Sequence, residues 1–278
     1  MMKNLLLRTL TGAVYVSLVT AGILINSYTF LALFSLVIIL CLQEFYGLIG
    51  TTRKVSVNPY FNSLGGLLLF IPLYFNIFEG VGSKILILYP IYLVAVLVSE
   101  LYRKKEDPLQ NLAYTFLGQL YIVLPLTLLI PLAYQASEFG GAPHSYYPIL
   151  ILALFVFIWV NDTGAYLVGV TIGKHRLFER ISPKKSWEGF FGGLIFTALS
   201  SLIFYHFEPE IPYYHWIGIA AVVVVFGTWG DLVESLIKRT LNVKDSGNAL
   251  PGHGGFLDRF DSLLLAVYGM FFYVWLFI

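Results

Sequence analysis

The sequence predicts an all-α, polytopic integral membrane protein with about nine transmembrane helices. Of its 278 residues, 58% are hydrophobic and only 12% are charged, about half the charged share of an ordinary soluble protein. The mean hydropathy is +0.79. So few charges would not cover the surface of a soluble domain of this length. The composition therefore excludes a soluble globular enzyme, a disordered protein and a nucleic-acid-binding protein.

Apolar runs near the length needed to cross a hydrocarbon core, roughly 20 residues for about 30 Å, follow one another along the chain. Polar segments separate them, and many Tyr and Trp residues fall at their ends, as in membrane-interface belts. The predicted spans are 9–26, 29–48, 62–78, 85–101, 111–134, 148–171, 190–205, 214–236 and 262–278. We interpret the first as a retained helix rather than a signal peptide, because it ends in Ile25-Asn26-Ser27-Tyr28 without a small-residue cleavage site.

The distribution of basic residues orients these spans. With the N-terminus in the cytoplasm, the cytoplasmic segments hold every one of the 17 Lys and Arg residues except Lys84, as the positive-inside rule requires. We therefore expect a cytoplasmic N-terminus and an external C-terminus. Residues 1–145 then carry the first five spans. Residues 146–278 carry the last four, with two long cytoplasmic loops at 173–189 and 238–261.

Acidic residues inside the predicted spans are functional candidates, because an ionisable group in hydrocarbon is costly. They are Glu44, Glu100, Asp162, Asp231 and Glu234. Each lies about 15 or more residues into a span that runs inward, and so falls in the cytoplasmic half of the membrane. Glu44 and Glu100 lie near helix ends, where structural and functional roles are equally open. Asp162 and Asp231 favour a function.

The segment from Asp231 to Asp261 concentrates charge and glycine. On a helix, residues 231, 234, 235 and 238 share one face, which changes from acidic to basic as it leaves the membrane. The loop that follows contains residues suited to tight turns and close approach to a ligand, namely Pro251, Gly252, Gly254 and Gly255. Asp258 and Asp261 are three residues apart at the start of the last span, so they too point one way.

Carboxylates beside several Lys and Arg residues indicate a site for a metal ion and phosphate groups. Carboxylate oxygens suit Mg²⁺, which takes further ligands from substrate phosphates, and Lys and Arg neutralise phosphate oxygens. A merely solvated loop would not explain so much charge and glycine beside membrane-embedded acids. His253 alone does not indicate a transition-metal site, and the single Cys41 excludes an intrachain disulfide. Neither a P-loop nor a Gly-x-Gly-x-x-Gly fingerprint is present.

Two stretches of the chain carry closely spaced polar motifs. The first reads Ser235-x2-Lys238-Arg239-x4-Lys244-Asp245-x-Gly247, followed by His253-Gly254-Gly255-x2-Asp258-Arg259-x-Asp261. The second combines Asn161-Asp162-Thr163-Gly164-Ala165-Tyr166, Gly173-Lys174-His175 and Ser182-Pro183-Lys184-Lys185-Ser186-Trp187-Glu188-Gly189. Both resemble the phosphatidate cytidylyltransferase, or CDP-diacylglycerol synthase, family. The motifs cover residues 161–261, and the first 150 residues resemble the family only in being hydrophobic spans.

The resemblance implies transfer of CMP from CTP to phosphatidic acid, giving CDP-diacylglycerol and pyrophosphate, in a membrane and with Mg²⁺. A bacterial inner membrane, with the active site facing the cytoplasm, is the expected location. Asp231, Asp258 and Asp261 are then expected to hold one or two cations, with Asp162 as a further ligand or an organiser of the cavity. Lys238 is expected to act in catalysis. The expected phosphate-binding residues are Arg239, Lys244, Arg259, His253, Ser182, Lys184 and Lys185.

Alternative functions from other classes are a transporter that couples to intramembrane acids and a membrane enzyme with a different lipid or isoprenoid phosphate acceptor. The sequence shows no internal repeat of the kind common in transporters. A structural scaffold would not need the buried charges. Gly189 and Gly193 form a small-xxx-small step, which predicts either a close helix contact within the chain, the interpretation we favour, or a homodimer interface.

Overall fold

The protein is almost entirely helical, in a computed structural model that describes residues 2–53, 55–135, 145–247 and 254–278. The α-helices are α1 (Met2–Leu24), α2 (Ser27–Arg53), α3 (Pro59–Phe78), α4 (Leu88–Tyr102), α5 (Pro108–Gly118), α6 (Leu124–Gln135), α7 (Ile149–Ile172), α8 (Trp187–Phe207), α9 (Tyr213–Thr240) and α10 (Leu257–Phe277). A 3₁₀ turn, Ser83–Ile87, leads into α4, and a π-helical segment, Gln119–Val123, joins α5 to α6. Strands β1 (Arg176–Phe178) and β2 (Ser182–Ser186) lie between α7 and α8.

In the described residues, 8 helical segments are long and apolar enough to cross a membrane. They correspond to the predicted spans from the second to the last, and Pro108–Tyr134 forms one of them through α5, the π segment and α6. The first predicted span falls in α1, whose apolar part, Leu10–Leu24, is shorter. The prediction of a polytopic all-α membrane protein is confirmed. The count of nine spans and the orientation of the termini stay predictions.

Side-chain caps define where three of the helices begin. The Asn58 side chain accepts hydrogen bonds from the backbone N–H groups of Tyr60 and Phe61, both at 3.1 Å, at the start of α3. Asp107 caps α5 by accepting from Gln110 N at 3.1 Å, and does so in the left-handed conformation with φ of 51°. Ser186 accepts from Gly189 N at 3.1 Å and begins α8. Such residues satisfy N–H groups that have no partner within the helix.

The structure divides into two compact units, and the first contains residues 1–131 and 243–259. Within it α2 packs against α1, α3 and α5, and α3 packs against α4. Aromatic side chains fill the interior between α2 and α3, where Phe30, Phe34, Phe70 and Tyr74 are fully buried. The segment 243–259 thus belongs with the N-terminal helices, although the predicted division of the chain placed it with residues 146–278.

A buried polar network at the end of α4 explains Glu100. Its carboxylate forms an ion pair with Arg103 and accepts a hydrogen bond from Asn111 Nδ2 at 3.2 Å. Arg103 also donates to the Ser56 hydroxyl at 2.9 Å, and Ser56 N donates to Asn111 Oδ1 at 2.9 Å. A buried carboxylate with this many partners ties α4 and α5 to the segment before α3. We assign Glu100 a structural role.

The second unit contains residues 132–242 and 260–278, and α7, α8 and α9 pack against one another within it. Glycine allows the closest contacts. A Cβ atom on Gly189 would lie 2.8 Å from the carbonyl oxygen of Ala165, and one on Gly193 would collide with Asn161. The small-xxx-small step is therefore a helix contact inside the chain, as favoured above. The proposed homodimer interface stays untested.

The predicted cytoplasmic loop 173–189 contains regular structure that the sequence analysis did not predict. Strands β1 and β2 pair as an antiparallel hairpin, with Arg176 opposite Ser186 and Phe178 opposite Ser182. Strand β2 reads Ser-Pro-Lys-Lys-Ser, which has neither the apolar alternation nor the β-branched residues that usually signal a strand. The pairing depends instead on contacts at the base of the hairpin, described below.

The glycine contact between α7 and α8 can be tested by adding one methyl group. Gly189→Ala places a carbon against backbone that cannot move independently, so we expect unfolding free energy to fall by about 1–3 kcal/mol. Gly47→Ala is the matched control, because a Cβ at this helical glycine meets nothing within 4 Å. It should leave stability unchanged or raise it by up to about 1 kcal/mol. Unfolding in mixed detergent micelles measures both. Equal stability of the two variants would contradict the close contact.

Candidate functional site

A cavity of about 280 Å³ in the second unit brings predicted site residues together. It lies among α7, the hairpin, α8 and α9. Its charged and amide lining comes from Asp162 and Asn161 on α7, Lys184 and Lys185 on β2, and Asp231 on α9. Hydroxyl-bearing, apolar and glycine residues complete it. The second stretch that suggested a family resemblance therefore supplies most of these residues, and Asp231 joins them from α9, just before the first stretch begins at Ser235.

An ion pair between Lys185 and Asp231 crosses this cavity. The Lys185 ammonium contacts Asp231 Oδ2, and both side chains are about three-tenths exposed. The other carboxylate oxygen, Asp231 Oδ1, accepts a hydrogen bond from the Ser235 hydroxyl at 3.2 Å, one turn along α9. Both oxygens of Asp231 therefore interact with side chains of the protein itself.

Glu188 holds the base of the hairpin that carries the two lysines. Its carboxylate accepts hydrogen bonds from the backbone N–H groups of Lys174 at 3.1 Å and His175 at 3.2 Å. It also contacts His175 Nδ1 at 2.6 Å, and Trp187 N donates to the carbonyl of His175 at 2.9 Å. The hairpin is thus fixed at the start of α8. Sequence reasoning missed this role of Glu188, whose signal was an acidic residue in the first turn of a helix.

A second carboxylate–lysine pair lies one turn further along α9. Glu234 is completely buried and forms an ion pair with Lys238, whose side chain is only 12% exposed. The sequence placed Asp231, Glu234 and Lys238 on one face of a helix, and the structure has all three in α9. The ion pair holds the Lys238 ammonium close to the helix.

Asp261 lies where α10 meets α9. A Cβ atom on Gly230 would be 2.6 Å from the carbonyl oxygen of Asp261, so this glycine lets the two helices approach closely beside Asp231. Asp261 interacts electrostatically with Asp231, Asp162 and Lys238. Among the described residues, however, no three His, Cys, Asp or Glu side chains form a ready-made metal-binding cluster.

Asp258, predicted as a metal ligand, lies in the first unit and binds backbone there. Its Oδ2 atom accepts hydrogen bonds from Ser246 N at 3.0 Å and Gly255 N at 2.8 Å. Gly254, with φ of 84°, makes the turn that this carboxylate caps, and a Cβ atom there would lie 2.5 Å from Asp258 Oδ2. Asp258 therefore organises the backbone before α10.

Glu44 supports the same segment from α2. It accepts hydrogen bonds from Phe256 N at 2.8 Å and Leu257 N at 3.2 Å, at the N-terminus of α10, and one from the Ser246 hydroxyl. Gly255 leaves the space that this carboxylate fills, because a Cβ atom there would collide with it. The sequence left open whether Glu44 has a structural or a functional role, and these contacts support a structural role.

The remaining predicted phosphate-binding residues are distributed over both units. Arg239 is exposed at the end of α9, and Ser182 begins β2, both in the second unit. Lys244 is exposed and belongs to the first unit, as does Arg259, whose carbonyl accepts from Tyr15 Oη at 3.2 Å. His253 lies outside the described residues. The phosphate-binding roles of these residues stay predictions.

Comparison with known proteins places the sequence in one family. The sequence matches the cytidylyltransferase family over residues 6–277. The chain belongs to that family. It is 49% identical over 123 residues to a phosphatidate cytidylyltransferase of Bacillus subtilis (strain 168), covering 44% of this chain and 46% of that one. A protein of the same name from Staphylococcus aureus (strain COL) is 48% identical over 122 residues, 42% of this chain and 45% of the other. These alignments span about half the length of the curated relatives.

The role of Glu188 as the anchor of the hairpin predicts faster amide exchange in its absence. Glu188→Ala removes the acceptor for the N–H groups of Lys174 and His175, and each hydrogen bond to a charged group protects an amide by about tenfold or more. Hydrogen–deuterium exchange with mass spectrometry should show this increase over 174–186. Glu179→Ala, an exposed acid in the turn of the same hairpin, is the matched control. Equal exchange in both variants would rule out the anchor.

Proposed function

We propose that this protein is a phosphatidate cytidylyltransferase, which transfers CMP from CTP to phosphatidic acid and produces CDP-diacylglycerol and pyrophosphate. The observation that carries the proposal is the cavity in which Lys184, Lys185, Asp162 and Asp231 meet in a membrane protein of the cytidylyltransferase family. The names of the relatives in Bacillus subtilis and Staphylococcus aureus support the choice of phosphatidate as acceptor.

The reaction needs positioning and charge neutralisation more than acid–base chemistry. A phosphate oxygen of phosphatidate attacks the α-phosphorus of CTP, a new P–O bond forms, and the bond to the leaving pyrophosphate breaks. The attacking phosphate is already an anion, so no general base is required. The principal barrier is repulsion between two polyanions that must align for in-line displacement. Lysines beside a cavity of this kind lower that repulsion.

The donor set of the second unit fits Mg²⁺. Asp231 and Asp261 supply hard carboxylate oxygens from neighbouring helices, Asp162 acts electrostatically on Asp261, and Mg²⁺ usually needs only one or two protein carboxylates beside substrate phosphates. When bound, the ion would stabilise negative charge that develops on the transferring phosphate. We propose Asp231 and Asp261 as its ligands, with Asp162 and Asp258 as further candidates and a second cation as an option.

We assign phosphate-binding roles to the basic residues from their positions in the structure. Lys184 and Lys185 line the cavity and are proposed to neutralise phosphate oxygens there. The ion pair with Glu234 holds Lys238 at one orientation on α9, so we propose that Lys238 binds the triphosphate as a fixed point charge. Arg239, Lys244, Arg259, His253 and Ser182 are proposed to bind the remaining phosphates.

The proposed setting is a bacterial inner membrane with the active site facing the cytoplasm. Basic residues are concentrated in the segments that the positive-inside rule assigns to the cytoplasm, and CTP is available on that side. Phosphatidic acid would then reach the site from the bilayer, with its tails in the hydrocarbon core.

The activity can be tested directly with purified protein, phosphatidate-containing detergent micelles, Mg²⁺ and CTP labelled at the α-phosphate. We expect label to enter a chloroform-extractable lipid, to stop when EDTA removes the metal, and to resume when Mg²⁺ is restored. Label that stays in water-soluble nucleotide, with folded protein and excess Mg²⁺, would overturn the proposal. Undecaprenyl phosphate and dolichyl phosphate in separate reactions would then test other phosphate acceptors.

Removing one carboxylate tests the metal assignment. Asp231→Asn should lower turnover by about a hundredfold or more, because it removes a carboxylate proposed to hold the metal ion beside the transferring phosphate. Asp107→Asn is the matched control. It makes the same change at an exposed helix cap, where Asn also caps and tolerates the left-handed conformation, and its turnover should stay within about twofold. Near-normal turnover of Asp231→Asn would remove Asp231 from the site.

A further inference from the structure

The ion pair between Lys185 and Asp231 occupies the carboxylate that the proposed reaction needs for a metal ion. Lys185 contacts Asp231 Oδ2, while Ser235 donates to Asp231 Oδ1. A divalent cation bound to Asp231 would lie next to the Lys185 ammonium, and two like charges at that separation repel each other strongly in a partly buried site. The lysine and the metal therefore compete for one carboxylate.

The backbone of Lys185 is held in place, so its ammonium stays within reach of Asp231 in the folded protein. Its strand ends at Ser186, which caps α8, and the adjoining Glu188 carboxylate binds the backbone N–H groups at the start of the hairpin. Lys184, the preceding residue, lines the same cavity, but its side chain is exposed. Of the two lysines, Lys185 is the one that contacts Asp231.

We propose that Lys185 is a resident counter-cation of Asp231, which a divalent metal ion must displace and which is then free to bind substrate phosphate. The inference rests on the proposed function in taking Asp231 as a metal ligand. Before the metal ion binds, Lys185 neutralises Asp231. After the metal ion displaces it, Lys185 binds substrate phosphate. The flexible four-carbon stem of lysine allows its ammonium to change partners while the strand stays in place.

The exchange makes metal binding depend on phosphate. With the lysine paired to Asp231, a metal ion alone gains the carboxylate but leaves an ammonium without its partner in a partly buried cavity, which is unfavourable. A nucleotide that arrives with its metal supplies phosphate oxygens for that ammonium, so the cost of breaking the pair is recovered. The protein without nucleotide should therefore hold metal weakly.

Direct metal binding without substrate tests this proposal independently of activity. Mn²⁺ serves as the probe, because its free concentration is measured by electron paramagnetic resonance in detergent solutions of the whole chain. Lys185→Gln removes the ammonium and keeps most of the stem, so the Kd for Mn²⁺ should fall by about tenfold or more, the effect expected for loss of a charge-assisted contact. Lys185→Arg keeps the counter-cation, and its Kd should stay close to that of the unchanged protein.

Lys184→Gln is the matched control for the general effect of charge. It removes the same charge from the same cavity, one residue away, and should lower the Kd by less than about threefold, as screened, solvent-exposed charges do. Equal shifts for Lys184→Gln and Lys185→Gln, or no shift for Lys185→Gln, would overturn the proposal. Adding Asp231→Asn to Lys185→Gln should abolish the tighter Mn²⁺ binding. Tighter binding that persists in the double variant would also overturn the proposal.

The labelled-CTP assay separates this inference from the proposed function. Labelled lipid from the unchanged protein, together with an unaltered Kd in Lys185→Gln, would overturn the counter-cation and leave cytidylyl transfer standing. A tenfold lower Kd in Lys185→Gln without any labelled lipid would support the counter-cation and overturn cytidylyl transfer. Melting temperatures of all the variants, measured in the same detergent, show that the changes in Kd come from folded protein.

Discussion

Buried charges need partners within the chain, and that requirement shapes both units of this protein. A membrane interior offers no water to solvate a carboxylate, so each one must be neutralised or hydrogen-bonded by the protein. Glu100 binds Arg103 and Asn111, and Glu234 binds Lys238. Glu44 uses backbone N–H groups instead. Glu100 thereby connects α4 to α5, and Glu44 connects α2 to the start of α10.

Partners of different chemistry give these acids different functions. A carboxylate held by backbone N–H groups, such as Glu44, fixes the course of the chain, because those donors cannot leave without unfolding the local backbone. A carboxylate held by a lysine side chain, such as Asp231, has a partner that can move, and the proposed exchange with a metal ion depends on that mobility. The distinction separates acids that build the protein from acids available for chemistry, although all of them look alike in the sequence.

The sequence was sufficient to predict the membrane helices and the grouping of Asp231, Glu234 and Lys238, because both follow from local periodicity and hydropathy. It left Glu44 and Glu100 undecided, because Asn111 lies on another helix and the donors to Glu44 lie in a distant segment, and one-dimensional spacing carries no information about those contacts. The hairpin was missed for a related reason. Its strands are short and polar, and the contact that stabilises them, Glu188 with the N–H groups of Lys174 and His175, closes a loop over 14 and 13 residues.

The π-helical segment Gln119–Val123 has a consequence for how this chain can vary in length. One turn of π-helix accommodates a residue more than the corresponding α-helical turn, while the flanking helices stay continuous. Here it lies inside the span Pro108–Tyr134, where the Gln119 side chain donates to the carbonyl of Asn62 at 2.9 Å. A homologue with one residue fewer between Gly118 and Leu124 could tighten this turn to an α-helix without breaking the span. Single-residue insertions and deletions, normally confined to surface loops, thus have a permitted site within the bilayer.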